Sequence, residues 1–164
     1  MNKKRKKPSI IICDPMAKIG IDMLKDHCIV DIQKGLTKDK LQKVIPGYDA
    51  AIVRNTTRFP RSVIKCAKDL KVIGRTGAGI DTINVEAAKE KGIAVVTSSN
   101  ANSVAVAEHT FALMLGLVRH LPQANKSLKD NRWEKKGLMG TGLAGKTLGL
   151  VGFGKIARQV ASRA

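Results

Sequence analysis

Two glycines and an alanine at fixed spacing near the end of this sequence could bind the phosphates of a dinucleotide. Gly152 and Gly154 follow the apolar run at residues 147–150, and Ala157 comes three positions later. In a Gly-x-Gly-x-x-Gly/Ala turn between a strand and a helix, the first glycine allows a tight turn and the second lets the backbone approach a pyrophosphate. The N-terminal N–H groups and positive dipole end of the helix would face the phosphates. The spacing predicts a nucleotide-binding turn, with an ordinary strand-to-helix turn as the alternative.

The residue that would distinguish NAD from NADP lies outside this sequence. In dinucleotide-binding units the acidic residue that binds the ribose hydroxyls follows the glycines by about 20 positions. That position falls beyond Ala164, the last residue given. We therefore expect NAD, and NADP remains an alternative.

Apolar runs and helix-period segments alternate from residue 9 onward, which is typical of a doubly wound parallel sheet. The predicted strands are residues 10–13, 28–32, 50–54, 72–75 and 93–97, and the predicted helices between them are residues 17–26, 37–44, 61–67 and 85–91. A hydrophobic content of 43% with only 3% aromatic residues suits a core of Ile, Val, Leu, Ala and Met. The fold class is therefore α/β, with a flavodoxin-like five-stranded parallel sheet at residues 9–99.

The segment after the predicted sheet has a different composition. Residues 102–121 are long, apolar and followed by Pro122, so they predict a buried helix in which His109 is a core residue. An amphipathic stretch at 123–133, a glycine-rich arm at 137–142 and a strand at 147–150 would follow. We place a domain boundary near residues 98–100 and interpret residues 100–164 as the truncated start of a Rossmann dinucleotide-binding domain. Because many partners of such a strand are missing, these residues should be marginally ordered unless a partner subunit covers them.

The formal charge of +17 raises the question of nucleic acid binding, but its distribution disfavours that function. Five of the thirty basic residues lie in the tail at residues 3–7, the rest are scattered, and no aromatic ladder interleaves them. We interpret residues 1–8 as a disordered basic tail, with a nuclear-import signal as the alternative.

Three cysteines without metal-ligand spacing predict neither a disulfide framework nor a metal site. No membrane span or secretory signal is evident in the sequence, so we expect a cytoplasmic protein.

Four stretches of this sequence resemble the D-isomer-specific 2-hydroxyacid dehydrogenases, and most of all the branch that oxidises a phosphorylated substrate, 3-phosphoglycerate. The likeness runs in unbroken order from about Ile10 to Ala164. Its motifs are residues 53–57, 72–84, 107–110 and 143–157. The resemblance implies an NAD-dependent oxidoreductase that transfers a hydride between the substrate carbon C2 and the nicotinamide.

The same resemblance implies roles for individual residues. In the family, the loop at 75–79 binds the substrate carboxylate through main-chain N–H groups, Arg54 faces the substrate phosphate and a polar residue at the position of Asn102 lies in the cleft between domains. The implied substrate-binding residues are Arg54, Arg75, Gly77, Ala78, Gly79 and Asn102. The implied cofactor-binding residues are Ala78, Gly152, Gly154, Lys155, Ile156 and Ala157.

Each of these residues has a structural alternative. Arg54 could be an ordinary surface ion-pair partner, Arg75 a strand-end salt bridge and Asn102 a helix cap. Two positions depart from the common pattern, since Ala78 stands where a threonine is common and Ala157 replaces the third glycine.

The family's catalytic arginine, carboxylate and histidine follow the glycine turn, so none is expected within these 164 residues and the chain alone should be inactive. We expect a homodimer or larger assembly through residues 102–142. Two further readings stay open: an NAD-sensing corepressor-like interaction protein, and a fragment that only dimerises with a longer form.

Overall fold

The computed structural model describes residues 7–99 and 101–164, and the chain divides into two compact units at residue 99. The predicted disordered tail falls largely on residues 1–6, which lie outside the described residues.

The first unit contains a five-stranded parallel sheet with helices between consecutive strands. Its strand order is β2-β1-β3-β4-β5, which is the flavodoxin-like order and confirms the predicted fold class. The elements in chain order are β1 Ser9–Ile12, α1 Lys18–Lys25, β2 Ile29–Ile32, α2 Lys38–Val44, β3 Ala50–Val53, α3 Arg61–Cys66, β4 Val72–Arg75, α4 Val85–Glu90 and β5 Ala94–Thr97.

Side chains of successive residues on the central strands point to opposite faces of the sheet, which splits the core into two layers. The larger layer contains Ile11, Val53 and Ile73, all fully buried under α2, α3 and α4. The smaller layer contains Ile10 and Ile12 and packs against apolar side chains of α1. Side chains cap two of the helices: Thr37 Oγ1 accepts a hydrogen bond from Lys40 N–H at the start of α2, and Asn84 Oδ1 accepts one of 2.8 Å from Ala87 N–H at the start of α4.

The second unit is helical. Its elements are α5 Ser103–Val118, α6 Leu121–Lys129, a single 3₁₀ turn Lys136–Leu138, and α7 Lys155–Ala161. His120 adopts a left-handed conformation with φ of 53° between α5 and α6. The chain after the 3₁₀ turn returns to the end of α5, where Thr141 N–H donates a hydrogen bond of 2.9 Å to Val118 O.

Three expectations for the second unit are wrong. Helix α5 is not a buried helix. Ser103 and Ala107 are its only buried residues, and Leu113 and Leu117 are 61% and 76% exposed to solvent. His109 is likewise exposed instead of lying in a core. Apolar side chains occur on several sides of the helix, and the described elements that pack on it, α6 and α7, are too short to cover it.

Residues 147–150 form no strand. A β-strand exists only where a neighbour accepts and donates its ladder hydrogen bonds. The described part of the second unit contains no other strand that could pair with this segment, so its leucines remain partly exposed.

No single helix in the described residues is long and apolar enough to cross a bilayer; α5 and α6 reach that length and composition only as a pair that is bent by 64°.

Candidate functional site

Arg54 and Arg75 lie on neighbouring strands at the carboxyl edge of the sheet. β3 pairs with β4 in parallel, with Val53 opposite Arg75, so Arg54 directly follows the residue that pairs with Arg75. The carboxyl edge of an open parallel sheet is where α/β proteins bind ligands. The sheet topology therefore brings these two predicted site residues together.

Neither guanidinium is neutralised within the described residues. Arg54 is exposed, Arg75 is half-buried, and neither makes an ion pair there. Arg75 Nε is buried without a hydrogen-bond partner. The surface ion pairs that we weighed as alternatives are therefore not formed, and both positive charges remain available to an anion.

The loop after β4 packs closely on Arg75. Gly77 has φ of +147°, a backbone conformation that a residue with a side chain rarely adopts, and a Cβ at this position would overlap Arg75 Nη1. A Cβ at Gly79 would lie 2.8 Å from Asp81 Oδ1, which is too close, and 3.9 Å from Arg75 Nη2, which is an ordinary contact. The glycines thus let the guanidinium lie against the loop backbone.

The main-chain donors of this loop differ in availability. Gly77 N–H donates a hydrogen bond of 2.8 Å to Ser98 Oγ, and Thr76 N–H donates one of 2.9 Å to Val53 O. Ala78 and Gly79 are exposed, and within the described chain their N–H groups have no partner. Of the three loop residues predicted to bind a carboxylate, Ala78 and Gly79 therefore offer free donors, whereas Gly77 is already bonded.

Asp14 holds the segment that carries Arg54, a contact that the sequence analysis missed. Its carboxylate is 3% exposed and accepts hydrogen bonds from Arg54 N–H at 2.6 Å, Thr57 Oγ1 at 2.8 Å and Thr57 N–H at 3.1 Å. Burial by itself raises the pKa of this carboxyl, but these hydrogen bonds outweigh burial and lower the pKa below its ordinary value. The anionic carboxylate thus fixes the backbone from which Arg54 extends. The only sequence signal was an acidic residue soon after a predicted strand at the same sheet edge.

The predicted cofactor residues lie in the second unit. Gly152 has φ of +89°, Gly154 is the N-cap of α7, and Lys155, Ile156 and Ala157 form the first turn of that helix. No atom lies within 4 Å of a Cβ built on either glycine. The positive φ requires glycine at residue 152, whereas nothing in the described chain requires it at residue 154. The predicted turn into a helix is thus present, and its backbone is open to a ligand.

Asn102 also belongs to the second unit, where it occupies the N-cap of α5. Its side chain makes no capping hydrogen bond. Asn102 therefore occupies the cap position without capping the helix through its side chain. Among the described residues, no group of three or more His, Cys, Asp or Glu side chains could hold a metal ion.

A protein-family model matches most of this sequence. The family model described as D-isomer specific 2-hydroxyacid dehydrogenase, catalytic domain, matches residues 10–161. The chain therefore belongs to the D-isomer specific 2-hydroxyacid dehydrogenases, which confirms the resemblance.

Three named relatives are similar in sequence to most of this chain. The chain is 43% identical to a D-3-phosphoglycerate dehydrogenase from Synechocystis sp., over 93% of this chain and 27% of that protein. It is 46% identical to one from Methanocaldococcus jannaschii, over 94% of this chain and 30% of that protein. It is also 44% identical to a hydroxypyruvate reductase from Thermotoga maritima, over 92% of this chain and 50% of that protein. The chain thus spans half or less of the length of these relatives.

Solved structures with a similar fold match most of this chain. A Thermus thermophilus protein matches with a TM-score of 0.85 at 32% identity, over 94% of this chain and 52% of that one. A Pyrococcus horikoshii protein matches with a TM-score of 0.80 at 32% identity, over 96% of this chain and 49% of that one.

Proposed function

We propose that this chain is the substrate-binding part of a nicotinamide-dependent D-2-hydroxyacid dehydrogenase of the phosphoglycerate type. Its reaction would be the oxidation of 3-phosphoglycerate to 3-phosphohydroxypyruvate, a step of serine biosynthesis. The observation that carries the proposal is the placement of two unpaired arginines, Arg54 and Arg75, beside the free N–H groups of Ala78 and Gly79 at one sheet edge. The 40% to 46% identity to several proteins named D-3-phosphoglycerate dehydrogenase supports it.

These residues suit the two anionic ends of such a substrate. A guanidinium donates two parallel hydrogen bonds to a phosphate or carboxylate, which makes arginine the preferred side chain for this recognition. Arg54 is exposed at the rim and would take the phosphate, while the Ala78 and Gly79 N–H groups and the half-buried Arg75 would hold the carboxylate end. Asp14 would act as a positioning residue because it fixes the backbone of Arg54.

The cofactor would be NAD, with NADP as an alternative, and would bind at the turn formed by Gly152 and Gly154. The open backbone at Gly154 fits a group that needs close approach to the main chain. When bound, this group would supply the hydride acceptor for the oxidation. Lys155, Ile156 and Ala157 would line the turn, and the family resemblance assigns Ala78 to the cofactor as well.

This chain alone should bind substrate without oxidising it. In the family, the histidine that moves the proton, its carboxylate partner and the arginine on the substrate carbonyl follow the glycine turn, outside these 164 residues. Absorbance at 340 nm with 3-phosphoglycerate and NAD should therefore show no NADH from this chain. A longer version that continues through a complete dinucleotide-binding domain should produce it. Turnover by the short chain would disprove this assignment of the catalytic groups.

Substrate binding can be tested on the chain as it is. We expect 3-phosphoglycerate to shift the backbone amide resonances of Arg54, Ala78 and Gly79 in a two-dimensional NMR titration. The Arg54→Gln variant should weaken that binding about tenfold or more, since a charge-assisted phosphate contact is lost. The Arg58→Gln variant is the matched control, because Arg58 is exposed and lies only four positions away. Equal affinities of the two variants would refute the phosphate role of Arg54.

A second candidate substrate is hydroxypyruvate, which lacks the phosphate. The 44% identity to a protein named hydroxypyruvate reductase favours it. In that case glycerate would shift the same loop resonances as 3-phosphoglycerate with similar affinity, and Arg54→Gln would leave the affinity unchanged.

We also propose that a second copy of the chain covers the exposed apolar side of α5, within the predicted dimer region at residues 102–142. The exposed Leu113 and Leu117 support this, because residues four positions apart lie on the same side of a helix. Sedimentation velocity should show a concentration-dependent dimer that Leu117→Glu weakens. A monomer at all concentrations would remove the proposal.

A further inference from the structure

The first unit contains a cavity at the amino edge of its sheet, opposite the edge that holds Arg54 and Arg75. It has a volume of about 720 Å³, within the range of roughly 300 to 1,000 Å³ that is usual for small-molecule sites. Its walls are the segments that lead into the five strands. Because parallel strands all start at one edge, these five segments converge there although they are far apart in sequence. None of them belongs to the candidate substrate site.

Ionisable side chains give the cavity a surplus of positive charge. Its lining includes the lysines Lys7, Lys68, Lys71 and Lys91 and the carboxylates Asp49 and Asp69. Asp49 is already satisfied, since it accepts hydrogen bonds from Ser9 N–H at 2.9 Å and Lys71 Nζ at 2.7 Å. The Asp49–Lys71 pair is therefore neutral, and three lysines remain against one carboxylate. The surplus matches the charge of a phosphate dianion.

Two of the lysines are held in place and still have donors to spare. Lys91 Nζ donates to Lys65 O at 2.9 Å and to Ala67 O at 3.0 Å, and Lys7 Nζ donates to Asp26 O at 3.1 Å. An ammonium group has three N–H donors, so one remains at Lys91 and two at Lys7. Each carbonyl contact restricts its lysine without neutralising it.

Lys68 completes the group. It is exposed and, within the described residues, forms no hydrogen bond or ion pair. Lysines act on phosphate as point charges whose positions need not match a planar geometry, so a cluster of them selects for charge and size more than for shape.

We propose that this cavity is a second ligand site, separate from the substrate site, that binds a small phosphate-bearing anion about the size of pyrophosphate. A duplex nucleic acid is a poorer fit, because the lysines line a concave cavity with two carboxylates among them and no exposed aromatic side chain lies with them.

The test is a titration of the chain with inorganic pyrophosphate, followed by amide NMR at low ionic strength. We expect saturable shifts at residues 7–9, 47–49, 68–71 and 91–92. Lys68→Glu should weaken binding at least tenfold. Lys40→Glu should change it less than twofold, because Lys40 is equally exposed on α2 but does not line the cavity.

Several outcomes would overturn the proposal. One is shifts confined to Arg54, Ala78 and Gly79, which would place the anion in the substrate site. Another is equal loss of affinity in Lys68→Glu and Lys40→Glu, which would indicate general attraction to a basic surface. A third is protection of the cavity residues by a short DNA duplex with no response to pyrophosphate. A second variant, Lys7→Glu, should reproduce the effect of Lys68→Glu if both lysines contact the ligand.

Discussion

The two units of this chain have similarly apolar elements but bury them to very different extents. In the first unit, the central strand residues Ile11, Val53 and Ile73 are fully inaccessible. In the described part of the second unit, Ala107 and Val160 are the only buried apolar side chains, and Leu113 and Leu117 are largely exposed.

The difference follows from architecture. A parallel sheet presents two apolar faces at once, and the helices that connect its strands return across those faces, so the connections themselves form the covering layers. The second unit has helices without a sheet to pack on. A fully buried leucine contributes about 1.5 to 3 kcal/mol, and the exposed leucines of α5 largely forgo this. We therefore expect the first unit to be much the more stable.

The two units should differ most in how much stability they lose when one apolar side chain in each is truncated. Ile73→Ala should lower the free energy of unfolding of the first unit by about 2 to 5 kcal/mol, because it leaves a cavity in a close-packed core. At protein concentrations too low for the proposed dimer, Leu117→Ala should change the free energy of unfolding of the second unit by no more than about 0.5 kcal/mol. Amide hydrogen exchange at increasing urea concentration, read by mass spectrometry of peptides from each unit, can follow both, and fluorescence of the single tyrosine, Tyr48, also reports on the first unit. Similar losses in both units would contradict the contrast.

Acid should destabilise the first unit through carboxylates with lowered pKa values, among them Asp14 and Asp49. The pKa of Asp14 lies below its ordinary value because its hydrogen bonds outweigh burial, and the pKa of Asp49 is lowered to about 2 chiefly by its hydrogen bond with Lys71. A carboxyl with a lowered pKa in the folded state contributes stability that is complete above its unfolded pKa of about 4. That contribution is lost as the pH falls from about 4 towards 2. The Tyr48 unfolding midpoint should be level from pH 7 to 5 and fall below pH 4; a level profile down to pH 2.5 would disprove it.

Removing the Asp14 charge alone should lower the free energy of unfolding less than truncating Ile73 does. Asp14→Asn replaces one acceptor oxygen with an N–H₂ group that faces other donors, and it should cost about 1 to 3 kcal/mol at pH 7. Asp22→Asn is the control, because Asp22 is exposed and forms only a 3.9 Å ion pair with Lys25. Because the stability that the Asp14 charge contributes starts to be lost as the pH falls below the unfolded pKa of about 4, the difference between wild type and Asp14→Asn should be smaller at pH 3 than at pH 7. A difference that is constant with pH would exclude the charge as the cause.

Substitutions of Gly152 and Gly154 should have smaller effects on stability, and the two effects should differ from each other. Gly152→Ala forces a side chain into a backbone with φ of +89° and should cost about 1 kcal/mol or slightly more. Gly154→Ala places a Cβ in open space at an ordinary φ of −79°, so it should leave the unfolding midpoint of the second unit, measured by the same hydrogen exchange, unchanged. In a longer chain that binds the cofactor, Gly154→Ala should instead raise the Kd for NAD. Equal destabilisation by the two substitutions would mean that Gly154 has a structural role in the protein itself.

Local sequence patterns were sufficient to predict the fold of the first unit. Short apolar runs separated by amphipathic segments placed all five strands within one or two residues, for example residues 72–75 for β4. The same reasoning predicted that Arg54 and Arg75 end strands, and the parallel pairing then places them side by side.

The errors concern properties that depend on distant parts of the chain. The apolar composition of α5 indicates that the helix should pack against another element. It does not show whether the chain contains such an element, and the predicted burial of α5 was wrong. Residues 147–150 have a strand-like sequence and lack a neighbour with which to pair. Asp14 was missed because its partners, Arg54 and Thr57, lie 40 and 43 positions away, and no local pattern connects them. The bond between Ser98 and Gly77 was missed for the same reason.

The Asp14 contact also has a consequence for the order of folding. A bond between residues 40 positions apart requires closure of the intervening chain, and such contacts form late because their entropic cost precedes their stabilisation. The end of β1 and the segment after β3 meet only once those two strands are paired. We therefore expect Arg54 to be fixed in place only after the centre of the sheet has assembled. During refolding, affinity for a phosphorylated ligand should appear no earlier than native tyrosine fluorescence, and partly folded chains should not sequester the substrate.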